Sequence, residues 1–180
     1  MNYKMVSYVL GWILIFEAIF MLVPAVTAIV YGETELWYFL GTAVLCAAVG
    51  RLMTFKKRKN TTMYSRDGFA VVALSWIVLS IFGALPMCLC GAIPNYVDAL
   101  FETVSGFTTT GASILTDVEA MPRCVLMWRS FTHWVGGMGV LVFIMAFLPL
   151  SGGQNMHMMK AESPGPSVGK LVPRVKTTAM

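Results

Sequence analysis

Four long apolar runs separated by short polar stretches set the layout of the chain. Met5 to Tyr31 is the first, Leu36 to Phe55 the second, Phe69 to Ala92 the third and Val125 to Leu150 the fourth. Each is long enough to cross a hydrocarbon core of roughly 30 Å, which takes about 20 helical residues. Trp12, Tyr31, Trp37 and Tyr38 suit anchoring positions between lipid and water. Pro24 predicts a kink in the first span, and Pro86 lies near the end of the third. No strand-like alternation competes with this pattern. The expected fold class is an all-α integral membrane protein, with four transmembrane helices and one shorter re-entrant element.

The shorter element is Asn95 to Leu115, NYVDALFETVSGFTTTGASIL. Asn95 to Phe107 reads as a short helix, and Thr108-Thr109-Thr110-Gly111-Ala112-Ser113 continues a helix poorly. It is too short to cross a bilayer, and irregular backbone at membrane depth is tolerated only where protein buries it or it lines a watery path. A half-length helix followed by extended polar chain is how a pore presents rings of carbonyls to a dehydrated cation. The stretch is therefore read as a pore helix and a selectivity filter. Backbone carbonyls and threonine hydroxyls at Thr108, Thr109, Thr110 and Gly111 supply oxygens of modest field strength, and the K⁺ position is expected at Thr109, Thr110 and Gly111. Gly111 adopts backbone angles closed to other residues. The competing reading is a Thr-rich extracellular turn.

Composition agrees with the spans. The chain of 180 residues is 57% hydrophobic and only 12% charged, about half the charge of a soluble domain. Its net charge of +4 sits in loops flanking the spans, which excludes a DNA-binding face. The first run is longer than the apolar region of a signal peptide and lacks an A-x-A-like cleavage site, so it reads as a span. Lys4, the basic loop 56–66 with Lys56-Lys57-Arg58-Lys59, and the tail share one side, while Glu33 and Glu35 lie on the other. Basic loops favour the cytoplasm, so both termini are expected there and the filter is expected to enter from outside. Cys46, Cys88, Cys90 and Cys124 lack metal-ligand spacing and read as apolar thiols.

Several charged or polar positions are candidates for a role. Asp98 and Glu102 lie four apart on one helical face, either drawing cations to the mouth or, for Glu102, pairing with a base such as Arg129. Glu17 is an intramembrane carboxylate, suited to ion or proton relay or to interhelical pairing. Arg51 can snorkel. His133 reads as a packing residue, and the glycines of His133-Trp134-Val135-Gly136-Gly137-Met138-Gly139 permit close backbone approach. His157, among methionines, is too isolated for a copper site. No nucleophile constellation, carboxylate pair in a cleft or phosphate-binding loop supports an enzyme.

Three motifs together carry a resemblance. Glu102 with Val104 to Ser113, VSGFTTTGAS, resembles the first pore loop of the Trk/Ktr/HKT superfamily of potassium transporters. The stretch from His133 to Gly139 looks like the helix after that loop. Ala161 to Pro166, followed by Lys170 to Arg174, looks like the cytoplasmic connector of the bacterial TrkH branch. The resemblance implies four helix–pore-loop–helix repeats around one pore, with two additional helices in front. Residues 1–55 then form the leading hairpin, 56–68 the basic cytoplasmic loop, 69–150 the first repeat and 151–180 a truncated connector. It implies K⁺ as the transported ion with no cofactor, Glu102, Arg129, His133, Gly136 and Gly137 as filter support, and a bacterial inner-membrane location. It also implies surrounding lipid, a dimeric or larger assembly and a cytosolic nucleotide-binding regulatory subunit. One pore loop supplies only a quarter of an ion cage. The expectation is an N-terminal fragment of a longer protein, with assembly of four copies as the alternative. A non-conducting subunit that pairs with full-length transporter chains is the reading from another class.

Overall fold

A computed structural model of the chain describes residues 3–55 and 65–139, and among these every regular element is a helix. In chain order they are α1 (Tyr3–Phe20), α2 (Leu22–Tyr31), α3 (Leu36–Thr54), α4 (Ser65–Leu89), α5 (Tyr96–Phe107) and α6 (Arg123–Met138). Among the described residues, three stretches are long and apolar enough to cross a membrane: Tyr3–Tyr31, Leu36–Thr54 and Arg66–Leu89. The basic loop at Lys56–Lys59, the end of the fourth run, His157 and the tail lie outside the described residues.

The first run is one continuous path in two helices. The break falls at Met21, three residues before Pro24, where a proline ring crowds the preceding turn. The fourth run begins at Arg123, two residues earlier than its apolar pattern suggests. Its helix closes at Met138, where Gly139 takes a left-handed φ of 69°. Gly32 likewise ends α2 with φ 68°, donating its N–H back to Ile29.

α1 and α3 cross closely because two glycines meet there. A Cβ on Gly11 would stand 2.8 Å from the Gly50 carbonyl, and one on Gly50 would stand 2.6 Å from the Gly11 carbonyl. Small residues let helix backbones approach where lipid gives no hydrophobic drive to associate. α1 also packs on α4, and α2 on α6, so the first two runs pack against both later helices of the repeat region. All four cysteines are free thiols, with Cys46 and Cys124 buried and Cys88 and Cys90 half-buried.

Aromatic rings join these layers. Trp128 of α6 is fully buried, and its ring centroid lies 6.4 Å from those of Phe39, Phe107 and Phe131. Its indole N–H donates to the Gly83 carbonyl of α4 at 2.9 Å. Phe107, the last residue of α5, also sits 6.2 Å from Trp76. Rings from α3, α4 and α6 thus seat the end of the short helix, and each such pair adds about 0.5–1.5 kcal/mol beyond its buried area.

Candidate functional site

α5 is short because polar side chains define both its ends. Asn95 caps it, its Oδ1 accepting the Val97 N–H at 3.1 Å. Asp98, half-buried in the first turn, complements the partly positive helix start. At the other end, Thr108 N–H donates to Val104 at 2.9 Å, Thr109 N–H to Gly106 at 3.0 Å and Thr110 N–H to Ser105 at 3.0 Å. The last two bonds form the paired closure of a helix whose next residue turns left-handed. That residue is usually glycine; here it is Thr109, at φ 56°. A β-branched side chain there is a genuine outlier. Gly111 follows at φ 75°.

The backbone from Thr108 to Thr110 therefore turns its N–H groups back into α5. Thr108, Thr109, Thr110 and Gly111 are all exposed, and among the described residues no hydrogen bond reaches any of their carbonyls. The Thr108 and Thr110 hydroxyls lie 2.7 Å apart, and Thr108 Oγ1 also donates to the Val104 carbonyl at 2.8 Å. The partly negative end of α5 faces the same loop, which favours a cation there.

The returning chain is pinned to the helix. Ser105 Oγ donates to the Ala112 carbonyl at 2.6 Å. Glu102 is buried, and its carboxylate accepts three hydrogen bonds. They come from Arg129 Nε at 2.5 Å, Ser113 Oγ at 2.9 Å and the Ile114 N–H at 3.2 Å. One carboxylate thus ties α5 to α6 and to the chain leaving the loop. Of the two roles open to Glu102 in the sequence, the structure places it in the buried pair.

Behind the loop, α6 comes within backbone contact. A Cβ on Gly136 would overlap the Phe107 carbonyl, and one on Gly106 would overlap the Thr132 hydroxyl. Gly137 is different, with nothing within 4 Å of its Cβ position. His133 Nδ1 lies 2.9 Å from the Arg129 carbonyl, one turn back on its own helix. Glu17 is fully buried, and neither carboxyl oxygen has a hydrogen-bond partner among the described residues. It converges with Thr103 and Phe107 on Gly83, behind the pore-helix candidate rather than at the loop.

Glu33 is the residue that sequence reasoning missed. Its two carboxylate oxygens accept the N–H groups of Arg123 at 2.6 Å and Cys124 at 2.9 Å, capping α6 from the turn between α2 and α3. Burial by itself pushes its carboxyl up. Hydrogen bonds from Cys124 and the Arg123 amide, with the Arg123 charge, outweigh that and hold it below the ordinary range. Nothing in the sequence joins Glu33 to a helix start about ninety residues away.

With this geometry in view, comparison with known proteins gives a consistent answer. Residues 37–180 match the TrkH cation transport protein family. The chain belongs to the TrkH family. It is 35% identical to the Trk system potassium uptake protein TrkH of Halomonas elongata, over 99% of this chain and 38% of the relative. It is 37% identical to the Trk system potassium uptake protein TrkG of Escherichia coli K12, over 98% of this chain and 37% of the relative. The crystal structure of the potassium transporter TrkH from Vibrio parahaemolyticus superposes with a TM-score of 0.78 at 31% identity, over 99% of this chain and 36% of that one. This chain spans about 38% of the length of the curated relatives it matches. As a member of this transporter family with long apolar helices, it is a multi-pass, membrane-embedded protein.

Proposed function

We propose that this TrkH-family chain contributes one pore loop to a potassium uptake system. Thr108, Thr109, Thr110 and Gly111 present the oxygens that replace water around K⁺, with the ion held at Thr109, Thr110 and Gly111. The observation that carries the reading is a run of four exposed residues whose carbonyls accept no hydrogen bond among the described residues, at the negative end of α5. Glu102 and Arg129 hold the loop in shape, while Gly136 lets α6 close behind it and His133 stiffens that helix turn. Gly137, with open space around it, serves the spacing of α6 rather than the loop itself. Residues 69–150 act as the helix–loop–helix repeat and 1–55 as the leading hairpin. The other three quarters of the ion cage come from further repeats or from further copies. In this reading the chain lies in a bacterial inner membrane with both termini cytoplasmic, and a nucleotide-binding subunit regulates the assembly from the cytosol.

The test is tracer Rb⁺ uptake into liposomes containing the purified chain, beside Gly111→Asp. That substitution places a bulky charge where φ is 75° and where the cation would pass. Uptake that K⁺ competes away and that the variant abolishes would mean that further copies of the chain complete the cage. A folded chain with no uptake would assign the other quarters to further repeats of a longer protein, and uptake indifferent to Gly111 would overturn the pore reading.

A further inference from the structure

A groove of about 420 Å³ lies between α2 and α6, and no residue of the pore-loop candidate lines it. Its volume falls within the roughly 300–1,000 Å³ of small-molecule sites. Val26, Val30 and Tyr31 line one wall, and Leu126, Met127 and Arg123 the other. The walls are apolar and open: Val30 is 73% exposed, Val26 59% and Met127 39%. Thr27 also reaches the groove, but its hydroxyl turns back to the Val23 carbonyl at 3.2 Å. The groove, which Ser130 also lines, is therefore mostly hydrocarbon and carries a single cation, Arg123.

The Arg123 side chain is exposed, and its charge acts on the nearby Glu33 carboxylate, but it forms no salt bridge among the described residues. Glu33 binds the Arg123 backbone amide, and both its oxygens are already occupied by α6 amides. Arg123 stands at the first turn of α6, level with the turn that joins two membrane-spanning helices. A guanidinium at that height, above an open apolar channel in a membrane-embedded chain, has the shape and charge of a phospholipid site. Its fork matches phosphate oxygens, and Tyr31 beside it suits the headgroup level.

We propose that this groove holds one acyl chain of a bilayer glycerophospholipid, with the lipid phosphodiester bound by the Arg123 guanidinium. The proposal rests on the membrane embedding of the chain and is independent of ion conduction. The lipid fills a seam that α2 and α6 leave open, and so joins the leading hairpin to α6.

Native mass spectrometry of the full chain, washed in detergent and then supplied with phospholipid or with diacylglycerol, tests this. Expected is one phospholipid that resists washing, and no comparable retention of diacylglycerol, which lacks the phosphate. Arg123→Gln should weaken retention about tenfold, and Arg123→Lys should recover part of it. Neither change touches the backbone amide that Glu33 caps. Val30→Trp, which fills the channel at an exposed position, should abolish retention while leaving the thermal midpoint of the lipid-free chain unchanged. Equal retention by Arg123→Gln, or by Val30→Trp, would overturn the proposal. So would absence of a retained phospholipid together with crosslinking of Met127→Cys to another protein chain, which would make the groove a protein interface.

Discussion

Glu102 and Arg129 should behave as one unit, and a double-mutant cycle measures it. The Glu102 side chain is 1% exposed and that of Arg129 20%, so the pair is largely withdrawn from solvent. Glu102→Gln keeps an oxygen for the Ser113 hydroxyl and the Ile114 amide but leaves the guanidinium facing a neutral partner. Breaking a buried pair from one side costs roughly 3–5 kcal/mol. Retained hydrogen bonds and the partial exposure of Arg129 place this variant at the lower end, about 2–3 kcal/mol. Arg129→Gln should cost a similar amount, because it leaves a buried carboxylate with only two neutral donors. The double variant loses the pair only once, so its cost should fall short of the sum by about 1–3 kcal/mol. Thermal unfolding of the full chain in detergent, followed by helical circular dichroism, supplies all four corners. Strict additivity would refute the argument, showing that the two side chains do not stabilise each other. A Glu102→Gln variant that folds as well as the wild-type chain but changes ion preference would refute it differently, by placing the carboxylate on the ion path.

The two glycines of α6 should separate: Gly136→Ala drives a methyl into the Phe107 carbonyl and should destabilise by roughly 1–3 kcal/mol, whereas Gly137→Ala meets open space and should be neutral or slightly stabilising in the same melts. Thr109→Gly should relieve its left-handed strain and stabilise the fold by about 1 kcal/mol while lowering Rb⁺ uptake, since a freer loop holds its carbonyls less firmly; unchanged stability would mean that no strain is stored there. Because Glu33 is held below its ordinary value, its contribution is complete above about pH 4.3 and drains away as pH falls through the lower folded value. Glu33→Gln should therefore flatten the acid limb of a stability-against-pH curve, and an unaltered limb would show that the cap does not titrate with folding. Glu17→Gln should leave the melting temperature equal or higher, because an isosteric neutral group replaces a buried carboxyl without partners; a large loss would reveal a partner for that carboxyl.

The apolar runs made the helices legible because a membrane-crossing segment must be long and nearly uncharged, and few other structures satisfy that demand. The shorter α5 was equally visible, since thirteen residues from Asn95 to Phe107 cannot cross and the threonines beyond cannot continue it. What escaped the sequence depended on contacts between distant positions. Gly11 and Gly50 look like ordinary span glycines until α1 and α3 cross. Thr109 hid its backbone state because threonine is among the residues least suited to φ 56°, so attention settled on Gly111. The first span breaks at Met21 rather than at Pro24 because a proline disturbs the turn before it.

Glu33 changes how the two parts of the chain relate. Its carboxylate, in the leading hairpin, caps the helix that carries Arg129 and Gly136. Phe39 of the same hairpin lies 6.4 Å from Trp128, which in turn meets Phe107 at the end of α5. The leading helices therefore support the loop through two independent routes, one polar at the α2–α3 turn and one aromatic through Phe39 and Trp128. A strained residue such as Thr109 persists only where its surroundings over-determine it. The ring cluster, the Glu102 carboxylate and the Gly136 contact converge on the two sides of that one loop. Restraints from behind hold the loop in shape, and the ion site proposed at Thr109, Thr110 and Gly111 rests on that rigidity.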